Sequence, residues 1–232
     1  MLPSLLTDFI NLLFPSLCLA CGQALRGGEQ HLCTACRAEL PYTDFHRLPP
    51  AQSPLGRRFW GKLPVHYALS YLRFVQHGRV QELLHQLKYQ GQQQVGVALG
   101  ELYGAELVAA GLTAEFDLIV PVPLHHRKLA RRGYNQAAAF AEGLSAGLHL
   151  PARADALRRN AHTASQTRKS RAQRWDNVAT VFEAAESGSI ISQRILLVDD
   201  VLTTGATLEA CGLALLAAGA AQVSIATIAS TD

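Results

Sequence analysis

The 232-residue sequence predicts an α/β fold, a mostly parallel sheet flanked by helices, with a small metal-binding head at its N-terminal side. Three observations carry this. After residue 65, short aliphatic runs alternate with segments of helical period. Two of those runs, "LIVPVPL" and "ILLVDD", are almost continuously apolar, as strands covered on both faces are. Before residue 65, four cysteines stand in two CxxC pairs. Hydrophobic residues make up 49% of the chain, enough for one substantial core plus an appendage.

Residues 1–45 read as the head. The opening "MLPSLLTDFINLLFPSLCLAC" places Leu5, Leu6, Phe9, Ile10 and Leu13 on one stripe, the pattern of a short amphipathic helix. Cys18, Cys21, Cys33 and Cys36 follow as CxxC, eleven residues, CxxC. A two-residue gap lets both sulfurs of a pair turn onto one ion, and zinc favours four thiolates in a tetrahedron. Gly22 suits the tight turn behind the first pair. Two disulfides or a redox pair are the other uses of this spacing, but disulfides need an oxidising compartment, and nothing points to export. Structural zinc (Zn2+) is the expectation, with His31 a bystander and no open position for catalysis.

Residues 46–64 hold four prolines and read as a linker. The main domain spans 65–232. "VHYALSYLRF" reads as a strand, and "GRVQELLHQLKY" puts Val80, Leu83, Leu84 and Leu87 at helical spacing. "VGVALGELYGAELVAAG" continues as helix. "FDLIVPVPL" is a short strand broken by Pro121 and Pro123, and "NQAAAFAEGLSAGL" is a helix of small residues. The basic stretch 158–177 has no period and reads as a loop. "VATVFEA" and "RILLVDD" are strands, "GATLEACGLALLAAGA" is a helix ended by Gly219, and "QVSIATIAS" is a last strand. Cys211 lies in an Ala/Leu-rich run and reads as a core thiol. Ligands of such sheets bind at the carboxyl ends of the strands, which singles out the loops after "LIVPVPL" and "LLVDD".

The formal charge is only +3, yet eleven of the 21 basic residues lie between His125 and Arg174, opposed by Glu142 and Asp155. Such a patch favours phosphate, pyrophosphate or nucleic acid. The apolar N-terminus has no basic residue before Arg26 and is interrupted by Asp8, Asn11 and Pro15, which argues against a signal peptide. No run approaches the roughly 18 apolar residues of a membrane span. A cytoplasmic location is expected.

The segment "ILLVDDVLTTGAT" (195–207) carries the most chemistry. Small hydroxyl residues and a glycine at a strand-to-helix turn expose backbone N–H groups to an anion. Thr203, Thr204 and Thr207 add hydroxyl donors, and Gly205 permits close approach. Asp199 and Asp200 would repel that anion, but they are good acceptors for a vicinal diol. Ribose 5-phosphate satisfies both halves.

This segment resembles the phosphoribosyl pyrophosphate (PRPP) motif of type I phosphoribosyltransferases. With the four-Cys knuckle, "PVPLHHRKLARRGYNQ" and "TASQTRKSRAQRWDNVATVF" in the same order, nearly the whole chain is similar to the ComF family. The resemblance implies a type I phosphoribosyltransferase-like domain behind a zinc-binding head, in proteins associated with competence, DNA uptake and DNA utilisation. It implies that Asp199 and Asp200 hold the ribose hydroxyls and that Thr203, Thr204, Gly205, Ala206 and Thr207 cradle the 5-phosphate. Arg131, Arg132 and Gly133 would meet the pyrophosphate. Arg168, Lys169, Arg171 and Arg174 would close over the ligand, and Mg2+ would accompany PRPP. An acceptor for transfer is not identified. Thr203 stands where hypoxanthine-type salvage enzymes carry an Asp, which argues against that purine chemistry. Two other roles stay open. One is a catalytically silent accessory protein that binds single-stranded DNA through the basic 125–174 region. The other is assembly through residues 1–45 with a partner such as a DNA-uptake helicase.

Overall fold

The computed structural model describes residues 14–160, 181–185 and 190–231. The expected N-terminal helix stripe and the cations Arg168, Lys169, Arg171 and Arg174 lie outside these residues. The head contributes the short helix α1 (Thr34–Glu39). Among the described residues, β1 (Val65–Arg73), β2 (Leu118–Pro121), β5 (Arg194–Leu202) and β6 (Gln222–Ser230) form one sheet in the order β1-β6-β5-β2, and every pairing in it is parallel. β3 (Leu157–Arg159) and β4 (Phe182–Ala184) form a separate antiparallel pair. The strand expected from "VATVFEA" thus exists but does not join the main sheet. Its partner is the start of the expected basic loop.

The aliphatic runs made the central strands because both of their faces are covered. On one face Leu196 and Val198 of β5 join a core with α2 (Arg79–Tyr89), α3 (Gln93–Ala109) and α5 (Gln136–Leu148). On the other face Ile195 and Leu197 meet Leu208, Cys211 and Leu215 of α6 (Ala206–Ala217). Cys211 is fully buried, as expected of a core thiol. Each Leu, Ile or Phe taken fully from water contributes roughly 1.5–3 kcal/mol. Arg194 ties the entry of β5 to β2, its Nε 2.9 Å from Asp117 Oδ2.

α3 and α5 touch backbone to backbone. Gly96, Gly100 and Gly104, four residues apart, face Ala139, Gly143 and Gly147. A Cβ on Gly143 would lie 2.0 Å from the carbonyl oxygen of Val97. The glycines therefore set how deeply the two helices interlock, at the cost of some helix propensity.

The proline-rich segment 46–64 is not a free linker. It forms three 3-10 turns, at 45–47, 50–52 and 54–59. Pro50 and Pro54 sit at the first positions of two of them, where a missing N–H costs nothing. Leu55, Phe59 and Leu63 are buried in the α6-side core. The chain just before and within this strap also covers the open edge of β1. The Thr43 N–H donates to the Tyr71 carbonyl (3.1 Å), and the Ser53 hydroxyl donates to the Ala68 carbonyl (2.6 Å). An uncovered edge would invite pairing with another chain. At the other edge, Pro151–Arg153 does the same for β2 around Ile119.

Gly143→Ala should destabilise the protein by about 2–3 kcal/mol, because the obstacle is backbone that cannot yield. Gly27→Ala, where an added methyl meets nothing within 4 Å, should stay within about 0.5 kcal/mol. Urea midpoints at unchanged m-value check both.

Candidate functional site

β5 delivers Asp199 and Asp200 to the carboxyl end of the sheet, and the turn Thr203–Gly205 leads directly into α6. Alternation along the strand separates the two acids. Asp200 emerges toward α2, where its Oδ2 lies 3.1 Å from Lys88 Nζ. Asp199 turns back on itself, and its Oδ1 accepts the Asp200 N–H at 2.8 Å. Lost hydration first, and the Asp200 charge second, raise the Asp199 carboxyl from 3.8 to about 7; the Asp200 N–H, then Lys88 and Lys128, oppose the rise. The fold therefore favours the protonated form of Asp199 and pairs Asp200 with a lysine.

The turn runs straight from β5 into α6. Gly205 has φ 82°, a left-handed value, and an added Cβ there would meet the Phe59 ring at 3.0 Å. Thr203, Thr204, Ala206 and Thr207 are exposed. Among the described residues, no protein acceptor takes the N–H groups of Thr203, Thr204 or Gly205. A cavity of about 580 Å³ opens in front of it, lined by Asp200, Thr203, Thr207, Lys88, Lys128 and Tyr89 among others. Asp199, Thr204, Gly205 and Ala206 stand next to this lining rather than in it.

The "RRGYNQ" residues, expected to meet pyrophosphate, also hold neighbouring elements together. Arg131 and Arg132 end α4 (His126–Arg132), and Gly133 closes it at φ 82°. Arg131 is exposed and outside the cavity lining. Arg132 donates to Gln136 Oε1 (2.6 Å) and lies over the Tyr89 ring, 5.4 Å from its centroid. The Tyr134 hydroxyl donates to the Leu87 carbonyl, and Asn135 Nδ2 to the Val122 carbonyl (2.9 Å). The loop thus fastens α2 to the end of β2. The lysines that line the cavity are Lys88 on α2 and Lys128 on α4. Lys88 carries no motif signature; only the tertiary contact reveals it. Arg58 is a second residue the sequence does not flag. Its guanidinium donates to the carbonyls of Thr203 and Thr231, so the strap braces the turn from behind.

In the head, the four Sγ atoms of Cys18, Cys21, Cys33 and Cys36 lie within 4.8 Å of one another. Gly22 takes φ 71°, and its N–H donates to the Cys18 carbonyl (2.8 Å), the tight turn expected after the first pair. Burial opposes ionisation of Cys18, but N–H donors from Cys33, Ala20 and Cys21 outweigh it and bring that thiol down to about 6. Four converging thiols, with N–H donors on Cys18 and Cys33, fit a zinc ion held by thiolates. His31 points away and meets Glu101 of α3 at 2.9 Å. Cys36 and Leu40 join the same core as Leu69 and Tyr71 of β1, so the head is docked on the sheet domain. No described helix is long and apolar enough to cross a membrane.

Fold and site together define a phosphoribosyltransferase-type domain carrying a zinc-binding head. Comparison with known proteins agrees. Residues 129–231 match the phosphoribosyl transferase domain, and residues 9–46 match the double zinc ribbon domain. The chain is 30% identical to DNA utilization protein YhgH of Escherichia coli (strain K12) over 220 residues, 91% of this chain and 95% of that protein. It is 33% identical to Competence protein F of Haemophilus influenzae over 147 residues, 62% of this chain and 64% of that one. It is 35% identical to Competence protein ComFC of Bacillus subtilis over 112 residues, 48% of this chain and 43% of that one. The chain belongs to the ComF family.

Two outcomes follow from the geometry. Metal analysis should find about one zinc per chain, and stripping it with a strong chelator should lower the melting temperature and expose the thiols to Ellman's reagent; zinc-free protein of equal stability would count against the head as a metal site. The second concerns Asp199, whose folded pKa is raised. The protonated acid is favoured by the fold, so its contribution is present below the unfolded value of 3.8 and is lost as pH rises through about 7. Asp199→Asn should stabilise the protein at pH 8 by on the order of 1 kcal/mol or more and change little at pH 4, as read from urea midpoints.

Proposed function

We propose that the cavity at the end of β5 binds a ribose 5-phosphate group, in particular PRPP with Mg2+, and that the protein serves DNA uptake or utilisation. The observation that supports this is the lining of one cavity by Asp200, Thr203 and Thr207 with Lys88 and Lys128. It combines a diol acceptor, hydroxyl donors at a helix start and a cationic side in one place. Asp200, backed by Asp199, accepts from the ribose hydroxyls through charge-assisted bonds. Thr203 and Thr207, with the turn's N–H groups, hold the 5-phosphate. The oxygen donors of Asp199 and Asp200 suit Mg2+, which keeps one or two carboxylates and rides on substrate phosphates. Bound there, it would neutralise charge on a departing pyrophosphate.

The same arrangement supports transfer of the phosphoribosyl group to an acceptor. The chain's own part is to fix the sugar at both ends and to keep cations beside the C1 substituent. The role in DNA utilisation follows the names of the relatives. Exposed Arg127, Lys128 and Arg131 on α4 and Arg158 and Arg159 on β3 favour a second reading, contact with single-stranded DNA, which should weaken steeply with salt.

Isothermal titration with PRPP and Mg2+ should show binding to the wild type. Asp199→Asn combined with Asp200→Asn should weaken it at least tenfold while the fold persists by circular dichroism. Binding that survives the double substitution would overturn the site. Pyrophosphate release with a panel of acceptors then tests turnover.

A further inference from the structure

Lys88 engages one oxygen of the carboxylate that, on the reading above, would accept from a diol. Its Nζ lies 3.1 Å from Asp200 Oδ2, and the side chains are only 22% and 18% exposed. The lysine sits near the end of α2, and the turn that carries it is braced from two directions. The Tyr134 hydroxyl holds the Leu87 carbonyl, and the Arg132 guanidinium covers the Tyr89 ring at 5.4 Å. Lys88 is therefore held at the cavity by its neighbours.

In this half-shielded place an ammonium that loses its counter-ion is costly. A diol that bonds Asp200 Oδ2 competes with Lys88 for that oxygen and weakens the pair. A ligand with a single phosphate, seated at the Thr203–Thr207 turn, leaves Lys88 without a replacement anion. A ligand with a second anionic group beside the diol supplies one, and Lys128 on the same lining adds to its reception. On the reading of this cavity as a ribose 5-phosphate site, we propose that Lys88 is a specificity-determining residue. Its pairing with Asp200 makes diol binding conditional on a second anion next to the diol, so the cavity selects ribose phosphorylated at both ends over ribose 5-phosphate.

The test is a pair of titrations, PRPP and ribose 5-phosphate, at fixed Mg2+ and ionic strength, on the wild type, Lys88→Met and Lys88→Arg. The wild type should prefer PRPP. In Lys88→Met the ratio of the two dissociation constants should fall by about tenfold or more, through weaker PRPP binding with ribose 5-phosphate unchanged or tighter. Lys88→Arg should keep most of the preference. If the wild type binds both ligands and Lys88→Met keeps the ratio, this proposal is overturned while the site reading stands. If the wild type binds neither, both fall. Should Lys88→Met fail to fold, Lys88→Gln is read in the same way.

Discussion

A buried strand that ends in two adjacent carboxylates must compensate them, and much of this molecule is arranged around that requirement. Two ionised acids side by side in a partly dry place repel each other and lack water. The structure treats them differently. Asp200 receives Lys88, and Asp199 receives a backbone N–H and a raised pKa. For Lys88 to arrive, α2 has to end beside β5. The loop after β2 secures that end through Tyr134 and Arg132. A stretch that looks like an anion loop thus also works as a bracket for the charge balance of the strand next to it.

The second dependence runs through the strap between the head and the sheet. It covers the β1 edge, buries Phe59 against the glycine of the turn, and presents Arg58 to the Thr203 and Thr231 carbonyls. The head rests on the opposite core through Cys36 and Leu40. Head, strap and turn therefore form one connected set of contacts, though the strap beyond residue 46 lies outside both matched domains.

The glycine stripe of α3 and α5 shows how composition and geometry interact. Glycine every four residues lowers helix propensity, yet here it lets two helices approach until their backbones touch. Bulkier residues would lift α5, and with it the anchored end of the "RRGYNQ" loop.

The amino-acid order by itself determined the elements that depend on neighbours in sequence. The apolar runs marked β2, β5 and β6, the helical periods marked α2, α3, α5 and α6, and the CxxC spacing marked the four sulfurs that converge in space. The acid pair and the Thr/Gly turn were legible because strand, turn and helix start are contiguous. Tertiary structure alone decided the rest. Pro-rich residues 46–64 read as a linker because their burial comes from the β1 edge and α6, far away along the chain. The charge of Arg132 is visible in sequence, whereas its contacts with Gln136 and Tyr89 are not. Lys88 was silent for the same reason. It lies 112 positions before Asp200, and a salt bridge has no sequence period. Local pattern encodes which face of an element is buried, but which distant charge meets it there is set only when the layers close.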